Sequence, residues 1–493
     1  MNDNHHDGRD ETRPGIRSFA KKLRFVIACW ICVMLAASLF SATLVQGQHA
    51  EADSSASRFS DEVIPLADIP KRPRPIIELG EPFLGTGTLA QGFRLPTGAV
   101  WQPALMAFGT VRLAAQGISD KVSGTDLAEG AARFDLFGNL YLTPSERIVI
   151  GFRPLDQDGR FTRFTLHSDP DLAEDDFVDE LNFGIRTLFF EGDFGELFPN
   201  LDRDDSGGLD IGLSIGRQPM SFQDGLLMNE DAIDAVGLTK ANNKWFGAVN
   251  TRISLVYGWG DLNRPLGTRN PGDKSATLFG IFTETDTPKQ TIEVDVIYVD
   301  ADDLTGSGVY GGLSSIRRIG SYSNTFRVVA SFPVGDETLY NSQGVLIHNQ
   351  LGWTPHHSIN YTYVSSFVGI NQFRSAARGP SAGGPLGQTG ILFAAVGLGR
   401  YGAALGNNAD KAVGGAIGHQ MFFAHTRKQL VLEIGGRYTY DSDFTQINAA
   451  AGGARYQMAF GRRGIVVIDG FGSYDFEASK TRFGARFEVL LKL

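Results

Sequence analysis

Cysteine is almost missing from this chain: 493 residues carry two, Cys29 and Cys32, both inside the apolar run Phe25–Phe40, FVIACWICVMLAASLF. Their C-x-x-C spacing is that of a redox pair or half a zinc site. The flanks say otherwise. A polar, basic segment ending Lys21-Lys22-Leu23-Arg24 precedes the run, and small residues follow it at Val45-Gln46-Gly47. Basic region, apolar core and small-residue exit are the layout of a secretory signal. The expectation is a signal peptide over residues 1–47, cleaved after Gly47, with Ala50 as the alternative. Its removal leaves no thiol, which excludes a disulfide-stapled secreted domain. A second long apolar run is also absent: none after residue 47 reaches the 18 or so residues of a membrane helix. Cationic excess is lacking too. Residues 1–47 hold six of the 45 basic and four of the 55 acidic residues, so 39 and 51 remain, a net charge of −12. That balance excludes a nucleic-acid partner, which requires a basic face. No G-x-S-x-G, H-E-x-x-H or P-loop occurs, and the acidic pairs have no setting that would raise a pKa. His356-His357 would splay apart in an extended chain, and His419 and His425 are six residues apart, too far to share a metal. No enzyme activity, cofactor or metal is therefore expected.

What is present in quantity is Gly (60) and Phe (35), with a two-residue alternation repeated through the chain. In residues 291–300 (TIEVDVIYVD), Ile292, Val294, Val296 and Tyr298 fall on one face and Glu293 and Asp295 on the other. In 481–493 (TRFGARFEVLLKL), Phe483, Phe487 and Val489 oppose Arg482, Arg486 and Glu488. Segments of this kind run about 9–13 residues, the length a tilted strand needs to cross a bilayer. Short polar turns at 286–290, 354–357, 425–428 and 461–464 alternate with longer loops at 300–307, 335–342, 369–414 and 441–452. Turns segregated by length are the layout of an outer-membrane β-barrel. About nineteen candidate strands can be drawn, and a bacterial barrel with both termini on one side has an even number. One between 146 and 244 is in excess, 161–167 or 232–240. The expected fold is all-β: a transmembrane antiparallel barrel of about 18 strands, 16 being the next choice, over residues 97–493. A retained anchor would hold such a chain in the inner membrane, so the leader is cleaved. Residues 48–96, with Ile69-Pro70-Lys71-Arg72-Pro73-Arg74-Pro75, read as a periplasmic linker. Gly85-Thr-Gly-Thr-Leu-Ala90 matches G-x-G-x-x-A but follows no strand, and reads as a glycine turn.

The alternating phase directs arginines toward the lumen. Arg112, Arg133, Arg147, Arg186, Arg252, Arg327, Arg437, Arg482 and Arg486 form the expected pore lining, and after residue 47 Arg outnumbers Lys by 29 to 10. Guanidinium binds carboxylate through two parallel hydrogen bonds and stays charged, so such a ladder attracts anionic solutes. The alternative is that these side chains pair with lumen acids such as Asp135, Glu293, Asp295 and Glu433. Gly216-Arg217-Gln218-Pro219 ends a strand before Asp224-Gly225 and Asn229-Glu-Asp231. Here the chain resembles the alginate-export type of outer-membrane porin. That resemblance implies a barrel of roughly eighteen strands with a basic pore for a uronate polysaccharide, and makes Arg217 a pore or structural residue. Leu493 departs from the aromatic ending usual in outer-membrane barrels.

Two further segments stand out. Asp202-Arg-Asp204-Asp-Ser206-Gly207-Gly208-Leu209-Asp210 begins like a calcium loop, but position 12 is Leu213 rather than the closing Glu; a solvated acidic loop is the better reading. The Gly/Ala/Ser-rich 371–414 contains Ile391-Leu-Phe-Ala-Ala-Val-Gly-Leu398, too apolar to hang in water. It is expected to fold over or into the barrel mouth as a constriction or lid, or else to form an extra hairpin. The function expected is passive passage of small, anionic solutes or acidic oligosaccharides across the bacterial outer membrane. Lipid, the barrel-assembly machinery and the solute are its partners. A structural or adhesive barrel, and then an outer-membrane enzyme, are the alternatives.

Overall fold

A computed structural model describes residues 73–493, apart from 81–90, 169–176, 205, 246, 265–274, 303 and 442–446. The expected signal, the linker up to residue 72 and the glycine-rich 85–90 lie outside the described residues. Eighteen strands form the wall: β1 (Ala104–Asp120), β2 (Thr125–Tyr141), β3 (Arg147–Phe152 with Arg160–Ser168), β4 (Ile185–Asp193), β5 (Ile211–Phe222), β6 (Met228–Asn243), β7 (Asn250–Gly260), β8 (Thr277–Asp286), β9 (Gln290–Asp300), β10 (Gly308–Ile319), β11 (Tyr322–Pro333), β12 (Gly344–Trp353), β13 (Tyr361–Asn371), β14 (Ala412–Phe423), β15 (Lys428–Thr439), β16 (Ala449–Phe460), β17 (Gly464–Asp475) and β18 (Lys480–Lys492). Each pairs antiparallel with the next, and β18 closes on β1 from Lys492↔Thr110 to Arg482↔Asp120. Closure satisfies every ladder within the wall, the condition for a sheet to span lipid.

The odd strand of the sequence count is explained by β3. Its first half pairs with Leu136–Tyr141 of β2 and its second with Leu127–Ala132, while residues 153–159 leave the wall between them. Residues 147–152 and 161–167 are thus two halves of one strand, and 232–240 belongs to β6. Pro154 has no amide hydrogen to give a ladder, which suits this excursion.

The two-residue phase sorts the faces as the sequence implied. On β9, Val294, Val296 and Tyr298 are exposed while Asp295 is buried; on β18, Phe483 and Phe487 are exposed while Arg486 and Glu488 are buried. Outward Leu113, Ile215, Phe279, Ile281, Leu313, Phe326, Leu432 and Ile468 continue the belt around the wall. An exposed apolar surface of that extent requires a hydrocarbon partner.

From β8 to β18 the terminus-bearing end carries the short turns 287–289, 320–321, 424–427 and 461–463, and the longest connection, 372–411, lies at the other end. The terminus-bearing end also carries the 194–210 connection. At the seam, Leu493 exchanges both backbone hydrogen bonds with Gly109. Ile77–Leu79 then pairs with Leu105–Ala107 of β1, so the chain before the barrel extends the β1 ladder beyond the last residue.

The interior has two characters. From β6 to β13 the inner face carries an apolar cluster, with Ile233, Leu278, Ile297, Val299, Leu346 and Phe367 fully buried or nearly so, and Asp295 and Arg327 buried among the same strands. From β14 around to β4 it is charged, with buried Glu433, Arg437, Asp469, Arg486, Glu129 and Asp135. The apolar side is filled mainly by one long loop, joined by Leu226, Leu227 and Leu262 of neighbouring connections.

Candidate functional site

Residues 372–411 join β13 to β14 and run inside the barrel. Leu392 and Phe393 are fully buried, Leu398 is 1% exposed, and the Phe393 ring sits edge-on to Phe367 of β13 with centroids 5.4 Å apart. The apolar run singled out in the sequence is thereby removed from water. No hairpin forms; the nearest thing to a ladder is an isolated bridge from Arg378 to Asn229.

A segment without secondary structure buries unpaired peptide groups unless side chains meet them. Here the charged half of the wall does so. The Glu433 carboxylate, 1% exposed, accepts from the backbone amides of Ile391 (3.1 Å) and Leu392 (2.9 Å) and from the Tyr363 hydroxyl. Arg437 donates to the carbonyls of Asn408 (2.7 Å) and Leu405 (3.3 Å), Arg482 to Ala403 (3.0 Å), and Arg112 to Val396 (3.0 Å). Arg400 of the loop donates to Glu129 of β2 at 2.8 Å, and Tyr401 to Asp469 at 3.2 Å. Replacing Glu433 by Ala orphans two buried amides and a hydroxyl. The expected result is a local loss of about 2–4 kcal/mol that frees 386–406, seen as new protease cleavage in that segment while the barrel keeps its β-sheet circular dichroism.

Nine of the ten arginines expected to line the pore point inward, and eight of these nine meet carboxylates. Arg112 holds Glu488 (2.6 Å), Arg133 holds Asp135 (2.8 Å), Arg147 holds Glu191 (2.6 Å) and Arg186 holds Asp231 (2.7 Å). Arg252 pairs with Glu284, Arg327 with Asp224 (3.1 Å), Arg482 with Asp120 (3.6 Å), and Arg486 with Glu488 and Asp469. Arg437 instead caps loop carbonyls. Arg217 is a correction: it points outward. Its cross-strand partner on β4 is exposed Leu188, and it shares a face with Ile215, opposite buried Gln218 and Met220. Two-residue alternation fixes that side, and Arg217 pairs there with Asp234 at 2.9 Å and with Asp261.

The groups around 153–159 form the other part of the site. Arg153 reaches Asp135 at 2.9 Å, Asp231 at 2.6 Å and Asp156 at 3.4 Å. Arg133 adds its second bond to Asp135 and donates to the Gly397 carbonyl of the loop at 3.2 Å. A cavity of about 240 Å³ opens here between wall and loop, bounded by Arg133, Arg153 and Asp231 on one side and Gly379, Gln388 and Gly397 on the other. Arg153 and Asp231 are cavity-lining residues that strand alternation does not single out. The signal available was Arg-Pro in the middle of a strand-like segment, which marks a break in the wall.

No family model and no curated protein sequence matches the chain. Among solved structures, Acinetobacter baumannii OccAB4 superposes with a TM-score of 0.52 at 10% identity, over 81% of this chain and 100% of that one. Pseudomonas aeruginosa OccK2 (OpdF) gives 0.51 at 11%, over 82% and 99%. A BenF-like porin from Pseudomonas fluorescens Pf-5 gives 0.50 at 10%, over 78% and 98%. The fold is that of the outer-membrane porins. These structures add nothing to the alginate-export resemblance at Gly216-Arg217-Gln218.

At 202–210 the structure supplies its own cation. Lys240 donates to the carbonyls of Gly207 and Gly208, and Asp202 accepts from the Ser206 amide (3.0 Å) and hydroxyl (2.9 Å). Those hydrogen bonds hold the Asp202 carboxyl below the usual carboxylate range. Among the described residues no group of three His, Cys, Asp or Glu side chains is placed to hold a metal. His356 and His357 are exposed in the turn after β12, and His419 meets Thr362 at 2.8 Å.

Proposed function

We propose that the protein is an outer-membrane channel that passes small anionic solutes through the charged half of its lumen. The observation that carries this reading is the cavity where Arg133 and Arg153 face the infolded loop. Apolar packing occupies much of the opposite side, where Arg252 and Arg327 are each paired with an acid. Solute is thereby drawn to the cavity where the guanidinium groups of Arg133 and Arg153 stand together. A carboxylate entering there replaces the Gly397 carbonyl as acceptor of Arg133, a stronger, charge-assisted bond. An acidic oligosaccharide presents such carboxylates in series, which is what the alginate-export resemblance implies. Outer-membrane lipid and the barrel-assembly machinery are the partners that this location requires, and no chemistry on the wall calls for an enzyme.

A sealed structural barrel is the second reading, favoured by the pairing of so many inward arginines with acids. Planar-bilayer recordings on the purified protein separate the two. The expected result is stable single-channel steps in KCl, with a reversal potential on the anion-selective side under a salt gradient. Absence of conductance in every salt favours the sealed barrel, and cation selectivity removes anionic cargo.

A further inference from the structure

The terminus-bearing rim carries an unbalanced charge. In the turns from β10 to β18 stand Arg317 and Arg318, Arg427 and Lys428, Arg462 and Arg463, then Lys492. No Asp or Glu occurs in 317–324, 352–360, 421–429, 458–464 or 490–493. All seven cations are exposed, and none makes an ion pair with a described carboxylate. The contrast with the lumen is complete, since eight of the nine inward arginines there have acid partners. The bonds they do make are to backbone: Arg318 to the Gly320 carbonyl, Arg427 to Gly461, and Arg463 to Arg74. At the opposite ends of the same strands the sign reverses, with Asp300, Asp302, Asp336, Glu337, Asp475 and Glu477 in the connections.

Directly beside these cations the outer face is apolar and aromatic. Ile319 is 48% exposed, Phe423 46% and Phe460 40%, and Tyr322 packs against Trp353 with ring centroids 5.7 Å apart. Aromatic side chains at that level mark the boundary between hydrocarbon and headgroup. Long cationic side chains next to them reach headgroup phosphates while their stems stay in the apolar layer.

We infer that the crescent from β10 to β18 is a binding surface for anionic phospholipid headgroups in the leaflet facing the terminus-bearing end. The inference rests on the membrane-spanning reading above and on that end being periplasmic, but not on conduction. Charge complementarity selects the lipid. Arg317 and Lys428 stand on the outer phase of β10 and β15, while Arg318 and Lys492 fall on the lumen phase. With Arg427, Arg462 and Arg463 of the turns, the outward pair attracts phosphatidylglycerol over a zwitterionic lipid, and the adjoining aromatic row places the acyl chains. The arc is confined to one side of the barrel. The turn region 194–210 carries Glu196, Asp202, Asp204 and Asp210 at the same end and repels the same headgroups.

The test uses the full-length barrel in neutral detergent, titrated with phosphatidylglycerol or phosphatidylcholine and read by native mass spectrometry as bound lipids per barrel. The comparison variant is Arg317→Gln/Arg427→Gln/Lys428→Gln/Arg462→Gln, with Lys411→Gln/Lys480→Gln at the opposite end as control. Wild type is expected to bind phosphatidylglycerol about tenfold more tightly than phosphatidylcholine. The preference should fall to near unity in the fourfold variant, persist in the control, and weaken with salt. Equal binding of the two lipids by wild type overturns the inference. So does an unchanged preference in a fourfold variant that keeps its heat-modifiable gel shift. Binding of polyglutamate that displaces the lipid assigns the crescent to an acidic polypeptide and overturns it equally. Single-channel recording of the same variants keeps the two readings apart: lost conductance with retained lipid preference counts against the channel alone.

Discussion

Excising residues 385–406 and joining Gly384 to Asn407 is expected to raise single-channel conductance at least about threefold, because eighteen strands without internal filling enclose an aqueous channel. The splice is geometrically mild. A Cβ on Gly384 would touch the Asn407 carbonyl, so the two ends already lie side by side. The deletion removes Leu392, Phe393, Leu398 and Leu405, and with them Gln388 and Gly397 from the loop face of the cavity at Arg133 and Arg153. Phe367 then loses its ring partner, and the wall arginines that cap loop carbonyls become free for solute. Each orphaned donor faces water in the widened lumen, so the penalty of leaving it unpaired inside protein does not arise. Planar-bilayer steps from the deleted and intact proteins measure the change. Equal conductance would place the permeation route somewhere other than beside this loop.

The second large effect is expected at Arg153. Replacing it by Ala leaves Asp135, Asp156 and Asp231 around the cavity with Arg133 and Arg186 as the remaining nearby cations, and the reversal potential in a KCl gradient should move toward cation selectivity. Arg153→Lys keeps the charge but loses the planar fork that serves three carboxylates. It should preserve the sign while loosening the excursion. Removing one partner of a buried ion pair costs about 3–5 kcal/mol. That cost falls on residues 153–159 and not on the barrel as a whole, since both halves of β3 remain laddered to β2. Faster amide exchange confined to 153–159 would report it. A variant with unchanged selectivity would show that ions pass without sensing this group.

Both effects arise from features legible to different degrees in the chain. The Ile391–Leu398 run was conspicuous because its hydropathy conflicts with its position in a loop, and such a conflict has few solutions in a barrel. The arginine phases on β1, β2, β15 and β18 followed from alternation alone. The outward side of Arg217 follows only from counting from Ile215, not from the short motif in which it stands. The motif says that an Arg precedes Gln218, whereas the pleat decides which side it faces. Arg153 is not legible by alternation because residues 153–159 leave the wall ladder, and side-chain periodicity carries no information where the ladder is interrupted.

Periodicity, turn length and the requirement for closure thus determined, from sequence alone, an even-stranded antiparallel barrel with an apolar outer face and arginines toward the interior. Those properties depend on local alternation and on the absence of open edges in lipid, and both can be counted along a chain. What only the tertiary structure decided is how the interior is used. Arg112 meets Glu488 across 376 positions of sequence and Arg400 meets Glu129 across 271. No local pattern encodes which carboxylate lies opposite which guanidinium once strands β18 and β1 have met. The division of the lumen into a packed half and a charged half follows from that long-range meeting, because the loop enters where apolar wall residues can cover it and its peptide groups find the ions on the other side.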